Sequence, residues 1–233
     1  MKIEITKDPY YEGDYIFDND LLELKENSIT CFVGCNGSGK TTLLHRIRDY
    51  LKKDCKTNEI KHDFYGHAFD KAVKILFDED DSEPDLYFLD FDKDSNVTYT
   101  ESDYFMNAAG IAYSSTGEGI VDRLGKNMQL LGSTIKDLHD TKLIIFFDDC
   151  DAGTSIDMIN EIKNVLKHII NTCKKQNITY YILLTSNSYE MARDLNCVSV
   201  HDFSEQHFKD YEDYKQFVLK SRERKNKRFK END

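Results

Sequence analysis

Gly34-Cys35-Asn36-Gly37-Ser38-Gly39-Lys40-Thr41-Thr42 is the stretch on which the reading of this chain turns. It is a complete G-x-x-x-x-G-K-[ST] phosphate-binding loop. The context matches the letters. Ile29-Thr30-Cys31-Phe32-Val33 is a short, β-prone, mostly apolar run leading into the loop. Behind it, Leu43, Leu44, Ile47 and Leu51 recur at helical spacing. Strand, glycine loop and helix are what phosphate binding needs. Glycines let the backbone wrap closely around the phosphates, the N–H groups point inward, and the helix N-terminus adds the positive end of its dipole. Residues 34–42 are therefore expected to bind a nucleoside triphosphate, with Lys40 reaching the β- and γ-phosphates and Thr41 ligating Mg²⁺ through its hydroxyl.

The rest of the 233 residues sets bounds on that reading. The length suits one sizeable α/β domain or a domain with a small insertion. A 39% hydrophobic and 12% aromatic content supports a packed core rather than disorder. The apolar runs are short strands, so no membrane insertion is expected. Met1-Lys2-Ile3-Glu4-Ile5 alternates like a strand and does not resemble a signal peptide. The six cysteines form no C-x-x-C pair and have no matching histidine spacing, which points to free thiols and a cytoplasmic location. A net charge of −12 argues against a surface that coats nucleic acid.

Along the chain, residues 1–25 read as short strands with turns. Residues 68–77 read as a helix, 86–89 as a strand, and 119–138 as an amphipathic helix. A strand at 143–147 follows, then a long helix after Ser155. Strands at 178–184 and 198–200 complete the core, and a final helix is expected from about Ser204. One domain spanning 1–233 is the simplest count. Leu143-Ile144-Ile145-Phe146-Phe147-Asp148-Asp149 is an apolar strand ending in two carboxylates. In a chain that holds a phosphate loop, Asp148 reads as the Mg²⁺-side carboxylate and Asp149 as the group that polarises the attacking water.

Here the chain resembles the ABC-type ATPases, on four short motifs in order. The loop at 34–41 has the Asn-Gly-x-Gly-Lys form. Ser114-Ser115-Thr116-Gly117-Glu118 resembles the family's signature loop; the alternative reading of the same residues is an ordinary helix N-cap. Residues 148–157 resemble the second phosphate-site strand end with its following loop, and residues 181–188 the last core strand with its switch loop. The resemblance implies a P-loop α/β fold of ABC type, with a mainly parallel core sheet, N-terminal antiparallel strands and a small helical insertion. It also implies ATP and Mg²⁺ as ligands and a head-to-tail homodimer on ATP binding. In that dimer Ser115, Thr116, Gly117 and Glu118 would complete the partner's site in trans. Compact soluble members act with a partner protein, often in defence or DNA processing.

Three departures bear on activity. Asp149 stands where the family usually has Glu, and Asn187 stands at the switch-loop His. No Gln lies between Lys40 and Ser115; Asp90, Asp92 or Glu101 are candidates for its role. Slow hydrolysis, with Asp149, Lys40 and Asn187 as the catalytic set, is the expectation. A non-catalytic nucleotide-gated interaction protein and a transporter's nucleotide-binding subunit are the rival readings.

Three further features remain. Tyr10, Tyr11, Tyr15 and Phe17 could stack on an adenine or serve the core. Cys35 is expected to face the phosphates, so that alkylating it blocks binding. Lys220, Arg222, Arg224, Lys225, Lys227, Arg228 and Lys230 face the single acid Glu223 in a basic C-terminal run. That run reads as a solvated tail, a dock for an acidic or protein partner, a nucleic-acid contact, or a segment folded back onto the acidic body. A chain ending at Ser221 is expected to behave like the full one.

Overall fold

A computed structural model describes residues 1–5, 17–54, 73–76, 85–91, 141–149, 151 and 154–231. Its strands are β1 (Lys2–Ile5), β2 (Leu21–Glu23), β3 (Ser28–Val33), β4 (Val73–Leu76), β5 (Asp85–Phe91), β6 (Thr141–Phe147), β7 (Tyr180–Ser186), β8 (Asn196–Ser199) and β9 (Glu205–Gln206). Its helices are α1 (Lys40–Asp54), α2 (Ile156–Gln176), α3 (Tyr189–Ala192) and α4 (Tyr211–Glu231). The strands form two sheets, a six-stranded one in the order β5-β6-β7-β3-β8-β9 and a three-stranded one in the order β2-β1-β4. In the larger sheet every pairing is parallel except β8 with β9. In the smaller, β1 pairs antiparallel with both neighbours. The expected α/β class, with a mainly parallel sheet and N-terminal antiparallel strands, is what is found. The helical insertion, including the helix expected at 119–138, lies outside the described residues.

Burial on both faces explains the composition of the central strands, since a parallel sheet covered on each side needs near-continuous apolar runs. All of β7 is buried. Successive side chains alternate between faces. Cys31, Val33, Ile145, Phe147, Ile182 and Leu184 join one core, and Phe32, Ile144, Phe146, Tyr181 and Leu183 the other. The first core is closed by α2, through Ile159, Ile162, Leu166, Ile169 and Cys173 at helical spacing, and by Tyr214 of α4. The second is closed by Leu43, Leu44, Ile47 and Leu51 of α1 and by Ile3 and Leu22 of the small sheet. Phe17 belongs to this second core, 2% exposed and with its ring 5.6 Å from that of Phe203. Its role is therefore structural; Tyr10, Tyr11 and Tyr15 lie outside the described residues.

Two local expectations are corrected. Residues 73–76 form β4 and not part of a helix. Val-Lys-Ile-Leu alternates, and its pairing of Ile75 with Ile3 and Val73 with Ile5 satisfies backbone groups along the edge of β1. The final helix begins at Tyr211, not Ser204, because residues 205–206 pair with β8 and Asp210 caps the helix, accepting from Asp213 N at 2.9 Å. That helix runs on to Glu231, so the basic run is part of α4 rather than a separate tail. Arg224 lies 2.7 Å from Asp202 and 3.8 Å from Asp18, which folds the run back against the body. Among the described residues, no helix is long and apolar enough to cross a membrane.

Candidate nucleotide site

Parallel register brings the site together. Val33 pairs with Ser186 and Phe147 with Leu184, so β3, β6 and β7 end at the same edge of the sheet. The loop from Gly34, the acids Asp148 and Asp149, and Asn187 continue from these three strand ends and therefore emerge side by side. In open α/β sheets that carboxyl edge is where ligands bind. A cavity of about 550 Å³ opens there, lined by Asn36, Gly37, Gly39, Lys40, Thr41, Thr42, Asp149, Asp151, Asn187 and Ser188.

The loop takes a shape its glycines permit. Gly37 and Gly39 have φ of +73° and +99°, a region L side chains rarely adopt. At Gly34 a Cβ would sit 2.6 Å from Ser38 Oγ and 2.9 Å from Val200 Cγ1. Lys40 is 7% exposed and donates from Nζ to the carbonyls of Gly34 (3.1 Å) and Cys35 (3.2 Å). Burial pushes its ammonium below the usual lysine range, against the pull of Cys35 and of the carboxylates Asp149, Asp151 and Asp148. A phosphate at this point would supply the negative charge that the desolvated ammonium lacks. Cys35 is only 1% exposed, so the expected phosphate-facing thiol is corrected. Its carbonyl accepts from Lys40, and its N–H donates to Ser221 Oγ at 2.8 Å.

Beside the loop, Thr41 Oγ1 donates to Asp148 Oδ1 at 3.1 Å, bringing together the two residues singled out for Mg²⁺. Asp148 is 7% exposed, and Thr185 Oγ1 also donates to its Oδ1, at 2.7 Å. His45 Nε2 lies 3.3 Å from Oδ2. Burial alone would raise the Asp148 carboxyl, but His45, Thr185 and Thr41 outweigh it and hold it below the usual range. A hard oxygen pair at the foot of a phosphate loop fits a magnesium ion.

Asp149 has φ of +51°, which Asp tolerates better than most residues. Its N–H donates to Thr185 Oγ1 at 2.8 Å, and its Oδ1 accepts from Asn187 Nδ2 at 3.0 Å. The expected acid and switch residue are thus in direct contact. Asp151 is 6% exposed and accepts from Ser186 Oγ, from Asn187 N at 3.1 Å and from Ser188 N at 2.8 Å. Burial raises its carboxyl above the usual range despite those three bonds. Thr185 ties the acids after β6 to the end of β7, Asp151 ties them to the loop beyond it, and the sequence reading assigned neither a role. The one available signal was the polar pair Thr185-Ser186 closing an otherwise apolar strand.

Ser115, Thr116, Gly117 and Glu118 lie outside the described residues, as do Asp92 and Glu101; Asp90 is in β5. Of the loop residues singled out, Gly34, Cys35 and Ser38 are buried behind the cavity wall rather than lining it.

No protein-family model matches the chain, and no curated protein matches it in sequence. Three solved structures are similar in overall shape. One is CbiO1 from Clostridium perfringens, part of the ABC transporter complex CbiONQ (16% identity, 88% of this chain and 86% of that one, TM-score 0.47). Another is Stu0660 of Streptococcus thermophilus (15% identity, 91% and 77%, TM-score 0.48). The third is a nucleotide-free ATP-binding cassette from an ABC transporter (14% identity, 94% and 97%, TM-score 0.41). These likenesses are too distant to carry any function across. The chain's own strand order, loop and strand-end acids make it an α/β protein with a mostly parallel sheet and a phosphate loop at its carboxyl edge.

Proposed function

We propose that this chain is an ABC-type ATPase that binds ATP with Mg²⁺, hydrolyses it slowly and dimerises head to tail when nucleotide is bound. The observation that carries the reading is the contact of Thr41 with Asp148 beside the buried Lys40 ammonium, with Asp149 and Asn187 across the same cavity. Loop N–H groups and the N-terminus of α1 hold the phosphates, and Lys40 exchanges its two carbonyls for phosphate oxygens. Mg²⁺ would be held by Thr41 and Asp148 and would neutralise charge on the β- and γ-phosphates. Asp149 accepts the proton of the water that attacks the γ-phosphorus, as the new P–O bond forms and the bond to the ADP oxygen breaks. Asn187 orients that carboxylate through its amide and carries no proton itself. An aspartate reaches one methylene less far than a glutamate, which is the reason for expecting slow turnover.

A complete site on this reading takes Ser115 and Gly117 from a second copy, and the cycle of closing and opening acts on a partner protein. Light scattering of Asp149→Asn with ATP and Mg²⁺ tests the assembly. The expected result is a doubling of mass on adding ATP, more persistent than in the wild type because hydrolysis is stalled. One unchanged mass at micromolar protein contradicts the dimer.

A further inference from the structure

The middle of the C-terminal helix is not free in solvent. It lies against the outside of the phosphate loop. Ser221, in the middle of α4, is 2% exposed, although serine gains little from a helix interior. Its Oγ accepts from the Cys35 N–H at 2.8 Å and lies 2.6 Å from His201 Nε2. One turn on, Lys225 Nζ donates to the Asn36 carbonyl at 3.1 Å. The same ammonium lies 2.6 Å from where a Cβ on Gly37 would be, so it rests directly on that glycine. Arg224, bound to Asp202, pins the helix at this level.

A trans peptide is planar, and its C=O and N–H point in opposite directions. The Cys35 N–H is drawn to Ser221, and the other side of that peptide, the Gly34 carbonyl, is met by Lys40. At the next turn the Asn36 carbonyl is drawn outward to Lys225. The N–H of Gly37 is thereby turned the opposite way, toward the cavity that Asn36 and Gly37 line. Were this peptide to flip, the loop would present a carbonyl oxygen, not an N–H, to an anion.

We propose that Ser221 and Lys225 are positioning residues of the nucleotide site, which hold the peptides of residues 34–37 so that the Gly34 carbonyl meets Lys40 and the Gly37 N–H is left for phosphate. The proposal rests on the ATP-binding reading above and assigns part of that site to the basic helix. It also reverses the expectation that a chain ending at Ser221 behaves like the full one.

The test uses the full chain and Lys225→Met, Lys225→Arg, Ser221→Ala and Arg222→Ala, the last altering an exposed cation on the same helix. The dissociation constant for ATP with Mg²⁺ is measured by fluorescent-nucleotide competition. Lys225→Met is expected to weaken binding about tenfold, as for the loss of one charge-assisted hydrogen bond. Lys225→Arg restores most of the affinity, and Arg222→Ala leaves it unchanged. Turnover at saturating ATP stays at the wild-type value in Lys225→Met, with the loss appearing in KM. Wild-type affinity in Lys225→Met, or equal losses in Arg222→Ala, overturns the proposal.

Hydrogen exchange of residues 34–38 in the nucleotide-free chain forms a separate arm. Ser221→Ala and Lys225→Met should speed exchange there relative to Arg222→Ala, and unchanged exchange refutes the clamp. A wild type that binds no ATP defeats the ATP reading alone, and the exchange arm then decides the clamp.

Discussion

Thr185 is the hinge pin of the acidic side of the site, and replacing it with valine removes one hydroxyl while keeping the shape. That hydroxyl makes two bonds, donating to Asp148 Oδ1 at 2.7 Å and accepting from the Asp149 N–H at 2.8 Å. The side chain is 1% exposed, so water does not readily replace either bond. A hydrogen bond to an ionised acceptor contributes about 1.5–3 kcal/mol, and an amide left without an acceptor costs about 1–3 kcal/mol. The Asp149 amide is only part-buried, and the added methyl recovers part of the loss by burial. Thr185→Val should therefore cost about 2–4 kcal/mol, and Thr185→Ser, which keeps the hydroxyl, clearly less. With no tryptophan in the chain, urea unfolding is followed by far-UV circular dichroism or tyrosine fluorescence. The same bond helps hold Asp148 below the usual carboxylate range, so an NMR titration of Asp148 should move upward in the valine variant. A Thr185→Val chain within about 0.5 kcal/mol of the wild type, with Asp148 titrating as before, would refute this reasoning.

Gly34→Ala places a Cβ 2.6 Å from Ser38 Oγ and should destabilise by about 1–3 kcal/mol, read as a lowered urea midpoint with an unchanged slope. Asn187→Ala removes the 3.0 Å bond to Asp149 and should lower phosphate release while leaving ATP affinity near that of the wild type; an unchanged rate would make Asn187 structural. Burial would raise the Asp202 carboxyl, but Ser204, Arg224 and Ser199 hold it far below the usual range. Its contribution to stability is thus complete above about pH 4 and is lost on acidification below that value. Asp202→Asn should lower stability at neutral pH and make the acid-side loss shallower, as followed by urea unfolding across pH.

How much of this was legible depends on where the determining forces lie. The loop could be read because its shape restricts residue choice locally: φ at Gly37 and Gly39 excludes most side chains, and Lys40 has a fixed place in the pattern. The acids at 148–149 could be read because a strand buried on both faces must end where its first charges stand. Residues 73–76 were misread because a short apolar run carries too few turns for its period to decide, and only pairing with β1 makes it a strand. The start of α4 was misplaced because Ser204 and Asp210 are both good caps, and the pairing of residues 205–206 with β8 selects the second. Thr185, Asp151, Ser221 and Lys225 act through partners 20 to 189 residues away, so no local pattern marks them. The difference is largest for the basic run, whose charge is plain in the sequence while its placement on the loop is purely tertiary.

The central claim is that the loop at residues 34–42 binds ATP through Lys40. Isothermal titration of the folded chain with ATP and Mg²⁺, alongside Lys40→Ala, tests it most directly. On that claim Lys40 would supply the full positive charge aimed at the β- and γ-phosphates, so its truncation should abolish measurable binding while circular dichroism stays that of the wild type. Equal ATP affinity in a folded Lys40→Ala chain, or no heat of binding in the wild type, would contradict the account.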